Sequence, residues 1–256
     1  MREPDSLAPP RDTGTRVVPS AAAPGTVAPP PTIARRDETA AFGQAERQAE
    51  RQAVLRAVQA EIAGCRRCVT AGTIAEANPI FRGDAGMRMM VVGQAPGPAT
   101  HELGVPYSGA TGRTLGRWLE RAGFPPGALH ERFYLTSLTK CFPGKATGGK
   151  GDRAPSANEI GWCRPHLDRE IALVRPVAIV SLGRLAANAL APATRGLPLA
   201  DVVGRAWPGE RGGHAFVLVP LPHPSGVSHW LNDAENRARV DLALTELGRL
   251  REERGL

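Results

Sequence analysis

An α/β fold, a central four-stranded parallel sheet flanked by helices, follows from three observations on the 256-residue sequence. Four short apolar runs, the first bounded by Gly93, read as buried parallel strands. Segments of helical period separate them, and such alternation implies a sheet covered on both faces. The first run opens into a glycine- and proline-rich loop followed by an amphipathic helix. That is where open α/β sheets hold their ligands, outside the carboxyl ends of the strands.

The elements can be justified in order. Residues 1–40 carry eight prolines, runs of alanine and almost no large apolar residue. Such a segment cannot bury enough surface to offset its ordering entropy and reads as a disordered tail, leaving residues 41–256 as one domain. It is no signal peptide, because Arg2, Glu3 and Asp5 are followed by no apolar core. No run of eighteen apolar residues occurs anywhere, so a cytoplasmic protein without a membrane partner is expected.

Residues 44–63, rich in Ala, Gln, Arg and Glu, form a helix that delivers Cys65 and Cys68. The first strand is Met89–Val92. Its loop runs from Gly93 to Gly112, and the helix from about Thr111 to Arg121 places Leu115, Trp118 and Leu119 on one face. The loop has neither the GxGxxG nor the GxxxxGK[ST] spacing, so it predicts a pocket but not a nucleotide site. Phe133–Thr139 is the second strand, ending at Lys140-Cys141. Ser156 caps the next helix with Glu159 three residues on, and that helix carries Cys163 to about Val174. Val177–Gly183 is the third strand, followed by a helix at Arg184–Leu190. Phe216–Pro220 is the fourth and empties into Pro222-His223-Pro224-Ser225, and a charged helix at about 234–253 closes the chain.

Charge points to a polyanion. The five arginines and five acids of the tail cancel, so the whole net charge of +7 falls on residues 41–256. A basic folded domain without a basic amphipathic segment suits nucleic acid before membrane. Three lysines against 29 arginines make part of this basicity compositional. Yet Lys140, Lys145 and Lys150 share one glycine-rich loop with Arg153, a loop suited to gripping phosphates.

Of four cysteines, only Cys65 and Cys68 form a CxxC pair, while Cys141 and Cys163 lie far along the chain. A disulfide framework does not suit a domain with a core this large and no secretory signal. One CxxC with two distant cysteines puts an iron–sulfur cluster first, zinc second and unrelated buried thiols third.

Four motifs then stand in order: Cys65-x-x-Cys68; Gly93-Gln94-Ala95-Pro96-Gly97 with Gly104-Val105-Pro106-Tyr107-Ser108-Gly109; Tyr134 to Cys141 followed by Cys163; and His223-Pro224-Ser225. Together they resemble the iron–sulfur uracil-DNA glycosylases, the family 4 branch of that superfamily, over about residues 60–250. The resemblance implies a monomeric base-excision repair enzyme acting on DNA that contains uracil or another deaminated base. It implies a 4Fe–4S cluster on Cys65, Cys68, Cys141 and Cys163, zinc being the alternative.

It also implies roles for single residues. Tyr107 matches the aromatic that stacks on a flipped uracil. His223 matches the histidine bonded to the base O2, where charge builds as the bond breaks. The Gln94-Ala95 amides and Ser137 fall where the rest of the base is read. Pro224 and Ser225 fall where the DNA backbone rests, and Gly226 to Trp230 where a wedge enters the vacated stack, with Val227, His229 and Trp230 as candidates.

Three residues depart from the pattern: Gln94 replaces a glutamate, Ser137 an asparagine and Tyr107 a phenylalanine. Glutamine positions water but is no general base. Serine offers a single donor, which loosens selectivity. His101 or Glu102, in the same loop, is the candidate for the missing polar group. A weaker or altered glycosylase is expected.

Overall fold

The computed structural model describes residues 33–148, 151–224 and 229–256, with side chains from residue 43 onward. Among the described residues eleven segments surround or lead into the sheet as helices or helical turns: α1 (Ile33–Ala63), α2 (Arg67–Thr70), α3 (Pro98–Leu103), α4 (Ala110–Arg121), α5 (Ala128–Glu131), α6 (Ala157–Val174), α7 (Arg184–Leu190), a short 3-10 turn at Pro192–Thr194, α8 (Leu199–Val202), a second at His229–Asn232, and α9 (Ala234–Arg254). The strands are β1 (Met89–Gly93), β2 (Phe133–Ser137), β3 (Ala178–Leu182), β4 (Trp207–Arg211) and β5 (His214–Leu221). Residues Phe42–Leu256 form one compact unit. The expected tail lies outside the described residues up to 32. From Ile33 the chain is already helical, so α1 starts well before the predicted residue 44.

The four expected strands lie in the order β2-β1-β3-β5 and are all parallel, with β4 added antiparallel at the β5 edge. Alternation assigns the two faces. Met89, Val91, Leu135 and Val180 pack with Leu115, Leu119 and Leu247 of α4 and α9. Met90, Val92, Tyr134 and Ile179 pack with Leu55, Ile171 and Leu190 of α1, α6 and α7. Every residue of β1, β2 and β3 is buried, which is why these strands read as unbroken apolar runs.

β4 was not predicted because its residues alternate between half-buried and exposed and include Pro208. The signal lay beside it. Gly212 and Gly213 have φ of 56° and 71°, the positive values a two-residue hairpin needs, between Arg211 and His214. Pro220 sits within β5 without cost, because β4 pairs only as far as Leu218. At the opposite edge, Arg82 bridges Leu135 and the Ile80 amide bonds the Lys140 carbonyl at 2.8 Å, so a loop covers the outer side of β2.

Ser156 caps α6 as expected. Its hydroxyl accepts from the Glu159 amide at 3.2 Å while the Glu159 carboxylate accepts from the Ser156 amide at 2.7 Å.

Candidate active site

Register aligns the strand ends: Gly93 pairs with Ser137, Val92 with Ser181, and Leu182 with Leu221. The carboxyl ends of β1, β2, β3 and β5 therefore share one edge, and β1 is where the connections switch sides. A cleft of about 460 Å³ opens there, within the range for small-molecule sites. Gln94, Ala95, Tyr107, Ser137 and His223, the five residues expected to hold a base, all line it.

Tyr107 is held by glycines. Its φ is +56°, a left-handed conformation that costs a non-glycine residue about 1–3 kcal/mol unless its surroundings impose it. A Cβ on Gly112 would lie 1.6 Å from the Tyr107 carbonyl oxygen, so the start of α4 can pass only as glycine. A Cβ on Gly93 would lie 2.8 Å from the Tyr107 hydroxyl. That hydroxyl donates to the Thr136 carbonyl at 3.4 Å, and burial raises its pKa above the usual range.

His223 follows β5 between the buried Pro222 and Pro224 and is exposed to the cleft. The walls strip part of its water, which lowers its pKa; the charge of Asp152, also in the cleft, opposes this. At neutral pH the ring is therefore uncharged, with one N–H to donate. Ser137 is buried at the end of β2. Gln94 is half-buried, and its carbonyl accepts from the Thr139 amide at 3.3 Å.

Behind this cleft the four cysteines line a second, small cavity of about 30 Å³ with Ile62, Glu159 and His166. They come from the α1–α2 junction, α2, the chain after β2, and α6. Burial pushes the Cys141 thiol up to about 12, with Cys163, Cys68 and Cys65 adding to the shift and the Asn78 backbone opposing it. Burial also raises Cys68 and Cys163. Thiols crowded around one cavity need a cation before they can ionise together, and the donor set fits a thiolate-bound metal group. Among the described residues, no three His, Cys, Asp or Glu converge on a single ion.

Several sequence expectations are corrected. Lys140 is not a phosphate contact. It is 2% exposed, and its ammonium meets Glu170 at 2.6 Å, Thr136 Oγ1 at 2.7 Å and the Ser137 carbonyl at 2.8 Å. Arg153 does not grip phosphates either: its guanidinium forks onto Glu159 at 2.6 and 2.8 Å and onto the Thr73 carbonyl at 2.8 Å. Lys145 is 57% exposed and pairs with Asp152 at 2.8 Å. Trp230 is half-buried against the α4–α9 core, a packing position instead of a wedge. Pro224 is buried, His229 is exposed, and Lys150, Ser225, Gly226 and Val227 lie outside the described residues. His101 and Glu102 do not line the cleft; His101 faces Glu76 at 3.4 Å instead.

Sequence reasoning missed Asp152 and Thr136 in the lining. Asp152 sat in plain view between Gly151 and Arg153, inside a loop read only for its positive charge.

A family model described as the uracil DNA glycosylase superfamily matches residues 80–248. The chain is similar to the type-4 uracil-DNA glycosylase of Pyrobaculum aerophilum, 32% identical over 147 residues, 57% of this chain and 70% of that one. It is similar to the type-4 enzyme of Archaeoglobus fulgidus, 30% identical over 169 residues, 65% of this chain and 79% of that one. A type-5 uracil-DNA glycosylase of Pyrobaculum aerophilum is 33% identical over 121 residues, 42% of this chain and 50% of that one.

Proposed function

The chain belongs to the uracil DNA glycosylase superfamily, and on that footing we propose that it removes uracil, or a related deaminated base, from DNA by hydrolysing the N-glycosidic bond. The observation that carries this reading is the meeting of Gln94, Tyr107, Ser137 and His223 in one cleft. A base stacked in a duplex is out of reach, so it is turned out of the helix into that cleft. Tyr107 stacks on its face. Ser137 bonds its polar edge, and neutral His223 donates to O2, where negative charge collects as the bond to the sugar breaks. A donor already in place at that oxygen lowers the barrier without reorganising. The Gln94 amide orients water in the same space.

Cys65, Cys68, Cys141 and Cys163 would hold a 4Fe–4S cluster. Four thiols lining one cavity would suit a thiolate-held cluster. When bound, the group supplies a covalent tie among four segments of chain. A brown protein with about four irons per chain supports this; a colourless one with stoichiometric zinc overturns it.

The functional test is excision from an oligonucleotide with one uracil, followed by alkali to cut at the abasic site. Strand scission is expected. None at enzyme excess, with uracil, hypoxanthine or xanthine, overturns the reading. Tight, salt-sensitive binding without product would instead favour a lesion-binding protein on the same fold, the reading that Gln94 and Ser137 motivate.

A further inference from the structure

Gln94 leaves the proposed reaction without an acid where one is expected, because a glutamine cannot accept the proton of the attacking water. Among the described residues lining the cleft there is one carboxylate, and it belongs to Asp152. We propose that Asp152 is the catalytic carboxylate of this cleft, supplied from the loop before α6 and not from the loop after β1. The inference rests on the glycosylase reading above and deepens it.

Three observations carry it. First, Asp152 is presented by fixed backbone. Gly151 takes φ of +81°, its carbonyl accepts from the Ala146 amide at 3.1 Å, and Asp152 bridges Lys145 across a short antiparallel pairing. The next residue clamps the loop from behind. The Arg153 amide bonds the Gly144 carbonyl at 3.1 Å, and its side chain is forked onto Glu159 and Thr73. Secondly, the two carboxylate oxygens have different surroundings. Oδ1 takes the Lys145 ammonium at 2.8 Å. Oδ2 looks across to the β1 loop and lies 3.9 Å from where a Cβ on Gly97 would stand. Thirdly, Asp152 and His223 line the same cleft, and the charge of the first is felt at the second.

The bland alternative is a loop staple to Lys145. That pair is exposed at both ends, 57% and 39%. Exposed ion pairs contribute about 0–1 kcal/mol, too little to explain a carboxylate aimed into a cleft.

The step balances. The C1′–N bond breaks and its electron pair leaves with the base, whose O2 is held by His223. Water forms the C1′–O bond with a lone pair, and its proton passes to Asp152 Oδ2 and from there to solvent. The same negative charge stabilises the positive charge on the sugar before water arrives.

The test uses the full chain and single-turnover excision. Asp152→Asn should slow excision about a hundredfold or more, the contribution of a positioned base. Its affinity for an oligonucleotide carrying 2′-fluoro-2′-deoxyuridine, whose glycosidic bond resists cleavage, should stay within about threefold, since only the transition state loses an interaction. Gln94→Glu in the Asp152→Asn background should recover about tenfold by returning a carboxylate to the same space. Excision by Asp152→Asn within threefold of the parent overturns the proposal and leaves the glycosylase reading intact. Equal losses in excision and analogue affinity, with a lowered melting temperature, also overturn it, since a staple would fail that way. A parent protein that releases no base at all overturns the underlying reading, and the proposal with it.

Discussion

Tyr107 and Gly93 define how finely single residues are fitted at the cleft. Gly93→Ala would set a methyl group 2.8 Å from the Tyr107 hydroxyl, forcing the ring out of place. With Tyr107→Phe added, the nearest atoms become Ser137 Oγ at 3.6 Å and the ring carbon at 3.8 Å, ordinary contacts. Excision should therefore fall in Gly93→Ala and largely return in the double variant; a double variant no better than Gly93→Ala alone would refute the fit. Glu170, 0% exposed, receives Lys140, Tyr134 and Thr136 behind the same strand. Glu170→Gln leaves a buried ammonium without its counter-charge and should cost about 3–5 kcal/mol in chemical denaturation. Gln94, Ser137 and His223 were legible in place, because they end or follow the apolar runs of β1, β2 and β5, whose ends converge, whereas Tyr107, between α3 and α4, came only through the motif that resembles the family's. Lys140 was not legible, because inward and outward lysines at a strand end look alike in sequence. Its partner, Glu170, lies thirty positions away in α6.

Among elements, α6 shows how one cap serves several purposes. Glu159 is 2% exposed and closes the capping box while holding Arg153. The Arg153 guanidinium above all lowers its pKa to about 2, with the Ser156 backbone assisting and burial opposing. A carboxyl whose folded pKa is depressed stabilises the fold above its unfolded value of 4.5, and loses that contribution as pH falls toward about 2. Arg153→Met should cost about 1.5–3 kcal/mol at neutral pH, the strength of a charge-assisted hydrogen bond. It should also flatten the acid limb of stability between those pH values, as melting temperatures across pH would show. The buried strands and the long helices were legible because period and apolarity are local. β4 was not: half-exposed and polar, it exists only through its pairing with β5. Four-residue turns such as α2, α5 and α8 carry too few positions for any period to show.

At the scale of the whole molecule, the cysteine cavity joins segments spread from residue 65 to residue 163. Stripping the proposed cluster should lower the melting temperature and the fraction of active molecules together, since binding energy of this kind is folding energy. Unchanged melting after complete iron loss would contradict that. Acid should also weaken the fold at milder pH. Burial lowers the pKa of His130, His166 and His223. The unfolded chain therefore takes up these protons first, and stability falls once pH drops below about 6.5. The sheet has a further consequence for how copies of this chain meet. On one side the backbone ladder of β2 is already occupied by the Ile80–Arg82 segment, and on the other β4 presents Pro208 with the charged Glu210 and Arg211. Pro208 has no amide to donate to an incoming strand and the charges beside it disfavour pairing, so edge-to-edge polymerisation is discouraged at both described edges. Light scattering of concentrated protein should return the mass of a single chain.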